Sequence, residues 1–262
     1  MKAQLIYNKA ERVRDVLRYI SRFKNSIIVI HIDDSLVDSP FYSSHIRDIA
    51  YLHEVGLKVI IVPGAKKHID TLLNNAGLQW KEIDGIRITS EKEMSIIKMA
   101  SFDMSNKIMT SLAEEHLTAV IGNWVKARGK GVINGIDFQS AGEIDKINIP
   151  ALNAILEEGF IPIFPCIGWS SNGKPYNISS INLAAQVATE LKAEKLFFLT
   201  HGKQISNEDF FIPDNISISP DGFVPAFSLE ELDAFLELNE NLGNFSIEKK
   251  HIINLLKIAK TS

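Results

Sequence analysis

Runs of consecutive apolar residues, each leading into a stretch with apolar residues at helical spacing, recur along this chain. Residues 26–32 precede a helical pattern at 42–55, 57–62 precede 66–75, and 160–164 precede 181–192, with a further run at 196–200. A strand that is apolar at successive positions is buried on both faces, and only helices above and below the sheet can bury it so. The expected architecture is therefore α/β, a three-layer αβα sandwich around a largely parallel central sheet. Gly56 and Gly77 close two of the helical stretches, and Pro150 suits the first turn of a helix at 150–158. A long helix is expected from 91 to about 113. Residues 118–145, rich in glycine and in alternating residues, predict a strand followed by one or two hairpins. At the start, residues 9–23 carry Val13, Val16, Leu17 and Ile20 on one helical stripe. After residue 200 the pattern weakens to loop or weak hairpin at 201–227, then amphipathic helices near 228–239 and 246–260.

A chain of 262 residues with 45% hydrophobic content can bury a sizeable core. A net charge of −4, with basic residues scattered, offers no field for nucleic acid. Cys166 is the single cysteine, so no disulfide forms within the chain, and its apolar run (160–167) predicts a buried structural thiol. No apolar stretch approaches a membrane span. The first residues are interrupted by charge throughout, unlike a signal peptide, and the expected location is cytoplasmic. No linker, repeat or low-complexity segment divides the chain.

Three places could carry chemistry. The first is the end of the first strand, His31-Ile32-Asp33-Asp34. Two acids beside a histidine suit a metal site or an acid–base pair. With no second ligand cluster elsewhere, they better suit a helix approach in which Asp34 or Ser35 caps something and the others meet water. The second is Pro63-Gly64-Ala65-Lys66-Lys67-His68, a strand–turn–helix junction whose backbone N–H groups and lysines suit an anion, though a single glycine also serves turn geometry alone. The third is Tyr176-Asn177-Ile178-Ser179-Ser180, where the serines suit an N-cap and Asn177 suits a ligand hydrogen bond. Neither a metal-spaced cluster nor a Walker, dinucleotide or Ser-His-Asp pattern is present, and no cofactor is expected.

Four segments taken together go further: VIIVPGAKKHID (59–70), GIRIT (85–89), GNWVKARGKGVINGIDFQSAGEIDKIN (122–148) and YNISSINLAAQVATELKAEKL (176–196). In order and spacing they resemble the amino-acid kinase family, in its branch of N-acetylglutamate kinases and the kinase-like domain of N-acetylglutamate synthases. The resemblance implies that Arg87 grips a ligand carboxylate, that Asn177 binds the same ligand, and that Gly64 belongs to an anion loop. It also implies departures. Kinases of this family place a lysine and two glycines where this chain has His31, Asp33 and Asp34. An organising aspartate is replaced by Ile181, and a second lysine falls at His251, beside Lys249 and Lys250. Phosphoryl transfer rests on positioning and charge stabilisation, and carboxylates at that turn repel a polyanion.

The expectation from the resemblance is thus a kinase-like domain silent in phosphoryl transfer, with oligomerisation and amino-acid sensing as its role. The ligand would be arginine or an N-acetylglutamate-like molecule, and Tyr19 and Lys195 match positions near an arginine effector site. Residues 1–24 would form an oligomerisation helix that makes a homo-oligomer, and 25–262 the kinase-like domain. Its N-lobe would run to about 170 and its C-lobe from about 171, without the family's final strand and helix. The acetyltransferase domain that follows in synthases is not within these residues, consistent with a short form or a fragment. Two rivals stand beside this: a divergent acetylglutamate kinase using His31 and the Lys249–Lys250 pair, and a structural domain with no ligand.

Overall fold

The computed structural model describes Arg14, residues 23–200, and the backbone of four short strands beyond them. Apart from Arg14 and Phe23, both helical, the expected helix at 9–23 lies outside the described residues. So do Tyr19, His251 and the helices expected near 228–239 and 246–260.

The elements follow in order as β1 (Ile27–Ile32), α1 (Asp34–Val37), α2 (Tyr42–Glu54), β2 (Lys58–Pro63), α3 (Lys66–Asn75), β3 (Lys81–Ile83), β4 (Ile86–Ile88) and α4 (Glu91–Glu114). Then come β5 (Ala119–Ile121), β6 (Val125–Gly129), β7 (Val132–Ile133), β8 (Ile136–Asp137), β9 (Gly142–Ile147) and α5 (Ile149–Glu157). β10 (Ile161–Ile163), β11 (Ile167–Trp169), β12 (Pro175–Asn177), α6 (Ser180–Glu190) and β13 (Lys195–Leu199) complete the main body. The short strands beyond are β14 (Ser206–Asn207), β15 (Phe210–Phe211), β16 (Ile216–Ser219) and β17 (Gly222–Pro225).

The central sheet runs β17-β16-β13-β1-β2-β10-β5. From β13 to β5 every pairing is parallel, and β16 and β17 add an antiparallel edge. Side chains of β1 and β2 alternate between two cores, as period-two strands must. Val29, Ile60 and Val62 pack under α5 and α6 with Leu152, Leu183 and Val187. Ile28, Ile30, Ile32, Val59 and Ile61 face the other way, onto α2 and α4 through Ile46, Ile49, Ile108 and Leu112. A third cluster joins α3 to α4 through Ile69, Leu73, Ile97 and Met104, with Cys166 and Ile167 beneath. A second sheet, β12-β11-β6-β9, lies beyond it in the chain's glycine-rich middle.

The α/β sandwich and its main elements stand as the apolar pattern predicts. Three details differ. Cys166 lies between β10 and β11, not within a strand, because the apolar run is broken at Pro165. α1 is a single turn that no periodicity could reveal. The β3–β4 hairpin turns on Asp84 and Gly85, both at positive φ (49° and 76°), the conformation of a tight two-residue hairpin turn. That Asp-Gly pair was the available signal.

Candidate ligand site at the carboxyl end of the sheet

β2 and β10 extend the sheet to one side of β1, whereas β13, reached after α6, is laid on the other. The reversal makes the carboxyl end of β1 a topological switch point, where open α/β sheets form their crevice. His31, Asp33 and Asp34 stand there.

Each of the three has an internal partner. The Asp33 carboxylate caps α1, accepting from the Ser35 backbone N–H at 2.9 Å and from the Ser35 hydroxyl. Asp34 reaches across to the other strand end: its Oδ2 accepts the His68 backbone N–H at 2.9 Å. His68 is in the first turn of α3, whose own N-cap, Ala65, supplies no side-chain acceptor. Asp34 thus takes the place a ligand anion would take at this helix N-terminus. Burial pushes its pKa up, opposed by the His68 N–H; the Asp33 charge adds to the rise and Lys67 opposes it. Both lysines of the junction are also paired within the chain, Lys66 to Glu82 at 3.0 Å and Lys67 to Asp38 at 3.8 Å. Gly64 ends beside the same carboxylates, its N–H on the Ile32 carbonyl at 2.7 Å. A Cβ added there would lie 3.4 Å from the Asp33 Cα, an ordinary contact, so local packing does not explain the glycine.

His31 does not meet water. It is 3% exposed, its Nε2 lies 3.0 Å from the Ser180 hydroxyl at the start of α6, and its ring packs at 5.4 Å from Phe198. Burial lowers its pKa to about 4 against the opposing pull of Asp33, so the ring is neutral at pH 7. Ser179 caps α6 by accepting from the Asn182 N–H, and Ile181 in the same first turn packs its side chain on the core beneath. Among the described residues, no group of three metal-ligating side chains forms.

A second constellation lies at the β3–β4 hairpin. Arg87 is neither a surface residue nor open to water; its side chain is 6% exposed. Its Nη2 donates to Asp70 of α3, its guanidinium carbon lies 4.6 Å over the Trp80 ring, and its Nη1 is buried without a partner. The Asn177 amide donates to the Thr89 hydroxyl at 3.2 Å, which donates at 3.2 Å to the Arg87 carbonyl. Arg87 and Asn177 are therefore brought together through Thr89. Sequence reading missed Asp70, Trp80 and Thr89 as partners of this site, and Ser180, read there as an N-cap candidate, instead meets His31 across 149 residues. Lys195 begins β13, its ammonium 5.3 Å from the Phe23 ring.

A parallel sheet with its switch point at β1 and a strand–glycine–helix junction beside it make this an open α/β fold of the kind that binds small molecules at its strand ends, and the chain belongs to the amino acid kinase family. The family's sequence profile matches residues 26–252. An acetylglutamate kinase of Campylobacter curvus is 30% identical over 258 residues, 94% of this chain and 89% of its own length. An amino-acid acetyltransferase of Ralstonia nicotianae is 32% identical over 197 residues, 72% of this chain but 44% of its own. The solved N-acetylglutamate synthase of Neisseria gonorrhoeae, complexed with coenzyme A and N-acetyl-glutamate, superposes with a TM-score of 0.80 at 26% identity. That match covers 96% of this chain and 55% of the synthase, so this chain spans about half of the synthase. A carbamate kinase of Giardia lamblia shares the fold alone, with a TM-score of 0.57 at 12% identity. None of the helices among the described residues is long and apolar enough to cross a membrane.

The buried neutral histidine sets a pH dependence. The folded pKa, near 4, lies below the ordinary 6.5, so the unfolded chain binds the proton first and stability falls as pH drops from 6.5 towards 4. The loss attributable to His31 is on the order of 3 kcal/mol across that window. Asp34, shifted upward, acts in the opposite sense. Urea titrations of the wild type and His31→Gln at pH 7 and pH 4.5 separate the two: the variant should lose less stability on acidification, and parallel losses would refute the assignment.

Proposed function

We propose that this chain is the kinase-fold regulatory and oligomerisation domain of an N-acetylglutamate-synthase-like protein of arginine biosynthesis, and that it transfers no phosphoryl group. The observation that carries this reading is the Asp34 carboxylate on the N-terminal N–H of α3. A phosphate approaching the same amides meets that charge at close range. Two like charges about 4 Å apart at an effective dielectric near 20 repel by roughly 4 kcal/mol. His31 supports the reading further, since a neutral buried ring cannot offset charge on a phosphoryl group. Ile181 cannot orient a cation.

The ligand of this domain would be a small amino acid. The Neisseria synthase has also been solved with coenzyme A and L-arginine, and it matches 92% of this chain with a TM-score of 0.77. Tyr19 and Lys195 are the proposed effector positions, with residues 1–24 as the assembly helix. One observation favours a second reading, a divergent acetylglutamate kinase: the alignment with the Campylobacter kinase takes in 89% of that enzyme.

Isothermal titration with ATP and magnesium decides between them. No binding is expected; a Kd below about 1 mM, or −4.1 kcal/mol, would put the kinase reading first.

Arginine should raise the melting temperature more than lysine or citrulline does. At one hundred times its Kd a ligand stabilises by about 2.7 kcal/mol. Equal shifts for the three, or none at millimolar ligand, would leave the domain without an effector role.

Light scattering should give a dimer or larger for the intact chain and a smaller mass after deletion of residues 1–22. A monomeric intact chain would end the assembly proposal.

A further inference from the structure

We propose that Asp70 is the residue that decides whether Arg87 can take a carboxylate ligand, and that in this chain it holds the guanidinium closed as an internal competitor. The inference deepens the reading above and rests on its proposal that the ligand of this domain is a small amino acid.

Arg87 has the features of a receptor for a planar anion. Its side chain is 6% exposed, one face of the guanidinium lies over Trp80, and Nη1 is buried with no acceptor. A desolvated guanidinium pairs strongly with a carboxylate and tolerates poorly the loss of one. Asp70 supplies that carboxylate from α3, through Nη2. Glu82 stands opposite Arg87 in the hairpin register, but its carboxylate is drawn to Lys66 at 3.0 Å. An incoming carboxylate therefore meets a guanidinium already neutralised and an aspartate that repels it. Asp70 is one-third exposed, so it can turn to water once its partner is taken. The geometry makes it a displaceable plug and not a locked core pair. With an amide at position 70 the guanidinium keeps one acceptor but carries an uncompensated charge, which favours capture of an external anion.

The experiment is calorimetry of N-acetyl-L-glutamate, at matched ionic strength, with the wild type, Asp70→Asn, and the double variant Asp70→Asn/Arg87→Gln. Far-ultraviolet circular dichroism checks that each is folded, and Asp70→Ser replaces Asp70→Asn if that chain is not. The expected result is at least tenfold tighter binding by the Asp70 variant than by the wild type, abolished in the double variant. Equal affinity in wild type and Asp70 variant would overturn the proposal, as would binding that survives loss of Arg87. No binding by any folded variant at 10 mM would overturn it too, because Arg87 would then be no carboxylate receptor. The ATP titration judges the parent reading separately: a wild type that binds ATP refutes that reading whatever the ratio between these variants.

Discussion

The contact between Asp34 and the first turn of α3 ties the two central strand ends together. β1 and β2 run side by side in parallel, so the turns that leave them emerge at the same edge of the sheet. Each turn starts a helix, and each helix start leaves N–H groups without intrahelical partners. α1 is capped locally by Asp33. α3 has alanine at its N-cap and receives an acceptor from a residue thirty-four positions earlier. The helix that carries Asp70 is thus fixed at its start by one strand's turn and along its length by the α4 core.

The two shifted groups at the end of β1 share one cause, burial, and differ in what opposes it. His31 is shut in by Phe198 and the α6 start, and burial disfavours its charged form. Asp34 is buried as well, but it has backbone donors that hold the charge it keeps. A strand end with a neutral ring and a capped carboxylate presents little positive potential to solvent. That is a property of side-chain identity at three positions, laid on a backbone scaffold shared with the carbamate kinase fold.

The central strands were legible because their patterning is nearly saturated: every residue of β2 after Lys58 is buried. Helix α3 was legible from its apolar spacing and closing glycine and α4 from its length, while the capping box that Ser90 and Glu93 form at the start of α4 went unread. The site was legible only in outline. His31 and Gly64 stand at strand ends as their positions suggested, whereas Arg87 and Asn177 lie in short strands that no apolar pattern marks, and the side-chain partners of His31, Arg87 and Asn177 are set by topology. His31 meets Ser180 across 149 residues, and Arg87 meets Asp70 across 17 through a hairpin with only the Asp84-Gly85 pair to announce it. Burial inverted one expectation: the histidine faces core and not water. Periodicity says which face of an element is inside, but not which polar groups the tertiary fold will enclose together.

Asp34 also constrains how this sequence can change. A glycine there would free the turn for close approach of an anion, yet it would first strip α3 of the one side-chain acceptor that the described residues give its N-terminus. Losing such a cap costs roughly 0.5–2 kcal/mol. The neighbouring carboxylate cannot substitute, because Asp33 is committed to Ser35. Any route from this turn to an anion-binding one therefore descends through a less stable intermediate before affinity is gained, and the aspartate is entrenched by the helix it serves.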